Sequence, residues 1–211
     1  MKIIFFKEPT KITSSKQLQK ITGIKEFFFE KDASVIFEGK ISLSPGIHFR
    51  GHSFVSNNVV IDTGCVLNNV TVGENCNIRS HSIILNSKFG PKNTIGPHCF
   101  VRDNTLVGAN CIIGSHVEVA RSKIGSQTKI SHQAFVGDAI IEDEVIIGAG
   151  TVFCNYDGKS KQSSYIGTKS TIGSGSMLVA PIRVGKRVVV GAGSVITKDV
   201  PDKSKIIQYR K

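Results

Sequence analysis

Along most of this chain an aliphatic residue or a phenylalanine returns at every sixth position. The series opens Phe54, Val60, Val66, Val72, Ile78, Ile84 and, after one residue drops out, continues Phe89, Ile95, Val101, Val107, Ile113, Val119. Ile124, Ile130, Val136, Ile141, Ile147 and Phe153 follow, with two steps shortened to five, and the beat resumes at Ile166, Ile172, Leu178, Val184, Val190 and Ile196. A period of six is neither the 3.6 of a helix nor the 2 of a strand. Short strands separated by corners produce it, each strand turning one aliphatic residue inward. Small residues four positions after a beat, such as Cys76, Cys99, Cys111, Thr151, Ser176 and Ser194, fit inside as well. Glycine follows most beats, and polar residues fill the corners, where positive φ is often needed. Three sides make a triangular coil of about 18 residues, stacked on the next at roughly 4.8 Å. The pattern predicts an all-β chain, a single parallel β-helix of hexapeptide type with about nine coils.

A weaker version of the pattern starts near Val35, in "SVIFEGKISLSPGIHF". Residues 1–33 differ from it and read as an N-terminal cap. Within them "SSKQLQKITGI" predicts a short helix opened by Ser14 or Ser15. The β-helix occupies 34–200, and 201–211 is a basic C-terminal tail. One stretch breaks the rhythm: thirteen residues separate Phe153 from Ile166 where six suffice. The surplus must leave the coil at a corner as a protruding loop carrying Asn155, Tyr156, Asp157, Lys159 and Lys161. Loops on rigid scaffolds commonly deliver chemical groups.

Composition narrows the classes. Hydrophobic residues make up 40% of the chain, and the formal net charge is +11. That charge fits a lysine-rich surface or small anionic substrates. Aromatic and basic residues do not alternate and no nucleic-acid motif is present, so neither DNA nor RNA is an expected partner. The N-terminal "MKIIFF" has only four apolar residues in a row, too few for a signal-peptide core or a membrane span, and the expected location is cytoplasmic. Five cysteines without a CxxC pair argue against a disulfide framework or a zinc knuckle and for reduced, apolar filler thiols.

Two segments, "ISHQAFVGDAIIEDEVIIGAGTVFCNYDGKSK" and "LVAPIRVGKRVVVGAGSVITKDV", closely resemble the acetyltransferase half of the bifunctional bacterial N-acetylglucosamine-1-phosphate uridyltransferase/glucosamine-1-phosphate acetyltransferases. The resemblance covers roughly residues 34–200 and rests above all on HxxxxGD and CNYDG at this separation; the uridyltransferase half has no counterpart. It implies left-handed winding, a homotrimer with active sites between neighbouring β-helices, and acetyl-CoA as co-substrate. It also implies His132 as catalytic base. Arg102 corresponds to a phosphate-gripping arginine, a role suited to a forked guanidinium. Asn155, Tyr156 and Lys161 correspond to substrate-binding loop residues, and Ala149, Ser174 and Ala192 to the wall of the coenzyme groove. No metal is implied. Three acceptor-site positions depart: a family lysine falls on Ala120, a tyrosine on Phe135 and an asparagine on Ile146. Phe135 keeps the ring at the substrate site without the hydroxyl, and Arg121 stands next to the missing lysine. The implied activity is therefore acetyl transfer to the amine of an amino sugar, either glucosamine 1-phosphate or a related sugar phosphate or nucleotide sugar.

Two other readings belong beside it. His81, His98 and His116 each follow a beat by three residues, which stacks them on one corner of successive coils. Histidines so placed bind zinc between subunits in carbonic anhydrase-like hexapeptide proteins. A β-helix that binds a ligand without catalysis is the other alternative.

Overall fold

A computed structural model describes residues 1–207; of the C-terminal tail, residues 208–211 lie outside the described part. The chain is a left-handed parallel β-helix of about ten coils. One face is a sheet of ten strands, from Phe27–Phe29 at the base to Val195–Ile196 at the top. We call it the third face. The other two faces belong to one continuous sheet because the strand Ser34–Leu43 turns a corner: Ser34–Phe37 pairs on the first face and Ile41–Leu43 on the second. The tenth rung, against about nine expected, is Phe27–Phe29, which pairs in parallel with Ile47–Arg50.

Successive rungs pair residues 17 or 18 positions apart, as in Ile83 with Phe100 and Phe100 with Glu118. Inside lies a single file of aliphatic side chains, with Val72, Ile78, Ile84, Val119 and Val184 all fully buried. The beat is inward from Val72 onward. The first three members depart from the expected inward orientation: Phe54, Val60 and Val66 face outward, and Val55, Ile61 and Leu67 fill the core. Each pair is an apolar doublet, so hydropathy alone does not distinguish the two registers, and a one-residue slip exchanges the faces. The small residues four positions after each beat are buried as expected. Burial pushes the Cys65 thiol up to about 12 and those of Cys76 and Cys99 to about 11. These thiols remain neutral and act as filler.

The base of the file is closed by a strand, Lys2–Ile12, antiparallel to Ser34–Leu43. The sequence pattern does not predict this strand; it is stabilised by a partner about thirty residues away. Pro9 falls where its register shifts, a bulge that tolerates a missing N–H. The expected helix, Ser15–Thr22, follows, with the Ser14 hydroxyl accepting from Gln17 N–H and Gly23 ending it in the left-handed conformation. Phe6, Ile12 and Leu18 cover the open end of the core. At the top, Lys205–Ile206 pairs with Val189–Val190, so the tail begins as one more rung.

The loop leaves one coil. Val152 pairs with Met177, 25 positions on, where neighbouring rungs take 17 or 18. Glu142 braces the coils across it. One carboxylate oxygen accepts from the Tyr165 hydroxyl, and the other accepts from the Thr168 N–H at 2.9 Å and the Thr168 hydroxyl at 2.8 Å. The Tyr165 hydroxyl, followed by the Thr168 donors, pulls the Glu142 carboxyl down to about 2. A lowered carboxyl contributes stability that is present above its unfolded value and lost as pH falls through its folded value. Glu142→Gln therefore destabilises the protein at pH 7 relative to wild type. The gap between their urea midpoints narrows below about pH 4.5 and closes near pH 2. In native protein at pH 8, iodoacetamide should label the half-buried Cys154 alone, as counted by mass; unfolding should expose all five thiols.

Candidate active site

The corner between the second and third faces is a column in which each N–H donates to a carbonyl one coil below. His81 donates to Thr63 at 2.9 Å, His98 to Ser80 at 3.1 Å and Gln133 to Ser115 at 2.9 Å. Higher up, Gly150 donates to His132 at 3.2 Å, Gly175 to Ala149 at 2.7 Å and Gly193 to Ser174 at 2.8 Å. His132, Ala149 and Ser174 thus occupy one line parallel to the axis, and Ala192 continues it as the residue before Gly193. All of these residues except half-buried Ala149 are exposed.

The chemistry of this column changes at His132. Below it the left-handed corner positions carry Gly46, Gly64, His81, His98 and His116, with Gln133 beside it; above it they are Gly150, Gly175 and Gly193. A Cβ at Gly175 or Gly193 would meet nothing within 4 Å, so the upper corner is a bare backbone edge. Gly148 has a different reason: its Cβ would lie 2.4 Å from Ser174 N. The three histidines stack as the spacing predicts, with ring centroids 5.2 and 5.3 Å apart and planes within 17° of parallel. Stacked rings present their nitrogens side by side rather than converging on one point. Among the described residues no group of three or more His, Cys, Asp or Glu is arranged to hold a metal ion within the chain.

The opposite corner of the third face holds Arg102 and Asn155. Arg102 donates through Nε at 3.1 Å and Nη2 at 2.7 Å to Glu118 Oε1, and through Nη1 to Asp103 Oδ2. Arg121 donates through Nη1 to the same Asp103 oxygen at 2.9 Å, and through Nε at 2.7 Å and Nη2 at 3.0 Å to the two Asp138 oxygens. The Arg121 bond, more than any other contact, holds the Asp138 carboxyl below its usual range. Asn155 Nδ2 donates to Asp138 as well, so the base of the loop is tied to this chain of charges. The loop beyond is built on itself. Tyr156 and Lys161 form an antiparallel bridge, and Asp157 Oδ1 accepts from the N–H groups of Lys159 at 2.8 Å and Ser160 at 2.7 Å. Those amides, Ser160 first, hold the Asp157 carboxyl at about 2. Tyr156 and Lys161 are exposed.

Of the residues predicted for the site, His132, Ala149, Ser174 and Ala192 share one corner, and Arg102 and Asn155 share the next. Phe135 lies half-buried on the face between them, in register with Glu118 below and Val152 above. Ala120 is buried beside Arg102 and Gly137. Ile146 lies instead on the second face, where it lines an open groove of about 500 Å³ with Lys92, Lys129 and Glu144. The predicted residues of a single chain therefore lie along two edges of one face. Glu118 and Asp103 escape the sequence reading, and Asp138 enters it only as the last residue of HxxxxGD. The signal existed: each stands within one coil length, 16 to 18 positions, of the arginine it grips.

The model for the bacterial transferase hexapeptide, six repeats, matches residues 163–198, and the model for the hexapeptide repeat of succinyl-transferase matches 103–118. The bifunctional protein GlmU of Alkalilimnicola ehrlichii is 36% identical over 173 residues, 82% of this chain and 35% of that protein. The GlmU of Prochlorococcus marinus is 39% identical over 175 residues, 83% of this chain and 39% of that protein. The chain thus spans well under half the length of these relatives. Among solved structures, the UDP-N-acetylglucosamine acyltransferase LpxA of Bacteroides fragilis superposes with TM-score 0.55 at 20% identity, covering 83% of this chain and 67% of that one. The corresponding enzyme of Campylobacter jejuni gives 0.57 at 15%, covering 78% and 68%. These two likenesses establish the shared fold. The chain is a hexapeptide-repeat β-helix protein, related over about four fifths of its length to the bifunctional GlmU proteins.

Proposed function

We propose that the protein is an acetyl-CoA-dependent N-acetyltransferase acting on an amino sugar, with active sites between the chains of a homotrimer. The observation that carries this reading is the column at the second corner, where an exposed imidazole stands directly beneath a bare edge of Ala149, Ser174 and Ala192. A flexible pantetheine arm needs close approach to backbone, and a corner of glycine and small residues supplies it. At the foot of that groove the amine must lose a proton before its lone pair can attack the thioester carbonyl. Imidazole titrates near neutrality and suits the task. In the proposed reaction the deprotonated amine, its ammonium proton released to solvent, forms the new C–N bond while His132 takes a second proton from nitrogen; the C–S bond breaks, and His132 passes that proton to the departing thiolate. Asn155, Tyr156 and Lys161 form the wall facing the acceptor, and Phe135 packs on its ring. No metal takes part.

The trimer is supported by the third face. Its outward column is largely apolar, with Phe28 50%, Ile83 40%, Met177 47% and Val195 58% exposed, and is interrupted by His48 and Glu118. It lies between the two half-sites, so packing it against a neighbouring chain would bring one corner of each chain to the complementary corner of the next. Such an apolar expanse marks an interaction surface. No helix among the described residues is long and apolar enough to cross a membrane, and we keep the cytoplasm as the proposed location.

His132→Ala should lower kcat about 10²- to 10⁴-fold with little change in the KM for acetyl-CoA, measured by release of free thiol with a panel of amino sugars. Wild type that acetylates no amine, with His132→Ala indistinguishable from it, would end this reading. Sedimentation should give three times the 22.8 kDa chain mass, and Ile83→Asp with Val195→Asp should shift the protein towards monomer and abolish turnover.

A further inference from the structure

The corner between the first and second faces lies opposite the third face, away from both Arg102 and His132. Its left-handed positions form a column of their own. From below they are Asn58, Asn75, Lys92, Asn110, Gln127 and Glu144, then Lys169, Arg187 and Lys203. Each N–H again donates to the coil beneath: Lys169 to Asp143 at 3.0 Å, Arg187 to Thr168 at 2.9 Å and Lys203 to Lys186 at 2.8 Å. Up to Glu144 one cation, Lys92, stands among the six residues. Above it three cations follow one another at the coil spacing of roughly 4.8 Å, and Lys186 immediately precedes Arg187. All four are exposed. Like charges stacked so closely repel.

The carboxylates nearby are engaged elsewhere. Glu144 pairs with Lys169 from below at 3.4 Å. Glu142 lies in the field of Lys186 but accepts through both oxygens from Tyr165 and Thr168. Asp202 folds back, its Oδ1 accepting from the Lys186 N–H at 2.8 Å. Gly185 makes room for this, since a Cβ there would lie 2.4 Å from that oxygen. Among the described residues no carboxylate forms an ion pair with Lys186, Arg187 or Lys203. The surface between these side chains is concave: Thr168, Lys169, Lys186, Arg187, Asp202 and Lys203 line a cavity of about 260 Å³.

We propose that this corner is a binding site for a small anion carrying two linked phosphate groups, separate from the acetyl-transfer site. Arg187 offers a planar fork for one phosphate. Lys169 and Lys203, one coil below and one above, and Lys186 beside it extend the positive line beyond the reach of a single phosphate. Glu144 ends that line below, which suits a compact ligand rather than a long polyanion.

Titration calorimetry of the full chain with inorganic pyrophosphate and inorganic phosphate, near physiological ionic strength, tests this. One pyrophosphate should bind per chain, about tenfold more tightly than phosphate. In Arg187→Asn/Lys203→Asn the Kd for pyrophosphate should rise about tenfold or more. Asparagine stands at Asn75 and Asn110 of the same corner, so the left-handed backbone is kept. Lys88→Gln/Lys123→Gln removes the same charge from exposed positions of the first face and should bind as wild type does. Pyrophosphate that binds no better than phosphate, full affinity in the asparagine variant, or an equal loss in both variants overturns the inference. So does a single-stranded DNA oligonucleotide that displaces pyrophosphate from this corner at lower concentration, because the ligand would then be a nucleic acid. Thermal melts verify that the variants are folded. If the asparagine pair is not, Arg187→Lys, which keeps the charge and loses the fork, must still weaken pyrophosphate binding.

Discussion

Each coil must hydrogen-bond to the one beneath it, and the rest of this structure follows from that requirement. Backbone N–H and C=O groups have partners only if every circuit advances by the same 17 or 18 residues, any surplus being looped out as it is after Cys154. That advance forces three short strands and three tight corners per coil. The strands bring one aliphatic residue each to the axis, and the corners accept left-handed residues from glycine to histidine. Where coils approach most closely, as at Gly148, even a methyl group is excluded. The file of inward side chains has two open ends. The antiparallel strand Lys2–Ile12 with its helix closes the lower one, because an exposed edge and core would otherwise invite pairing with another chain.

The same regularity converts sequence separation into position. Residues one coil apart become vertical neighbours, so His132, Ala149, Ser174 and Ala192, scattered over sixty residues, line up on one corner. A change of residue type along such a column is then a change of chemistry along a straight path. At His132 the column passes from a run of three histidines and a glutamine to glycine, which also occupies its lowest positions, Gly46 and Gly64. The loop works against the same background. Its surplus residues cannot enter the stack, and it is held at its base through Asn155 and Asp138 and internally by Asp157. Its side chains are carried on a short, self-braced arm.

Charged side chains add a layer that the backbone does not dictate. Arg102 and Arg121 reach up and down the stack to carboxylates one rung away, forming one continuous chain from Glu118 through Asp103 to Asp138. Each guanidinium spends three of its five N–H donors on these carboxylates.

The hexapeptide beat was sufficient to establish the solenoid, the place where the loop departs and the columns on which distant residues meet. Periodicity is a property of the chain and survives folding unchanged, so the stacking of His81, His98 and His116 and the short helix after Ser14 were legible in it. The tertiary structure decided what depends on partners. It chose Val55, Ile61 and Leu67 over the adjacent Phe54, Val60 and Val66 as core residues, because an apolar doublet satisfies either register and only the packed coils distinguish them. It supplied a strand to Lys2–Ile12 by presenting an edge to pair with. It also determined that the arginines are held by carboxylates, since that depends on side chains reaching across the 16 to 18 residues of a single coil, a distance that is short only once the coil has closed.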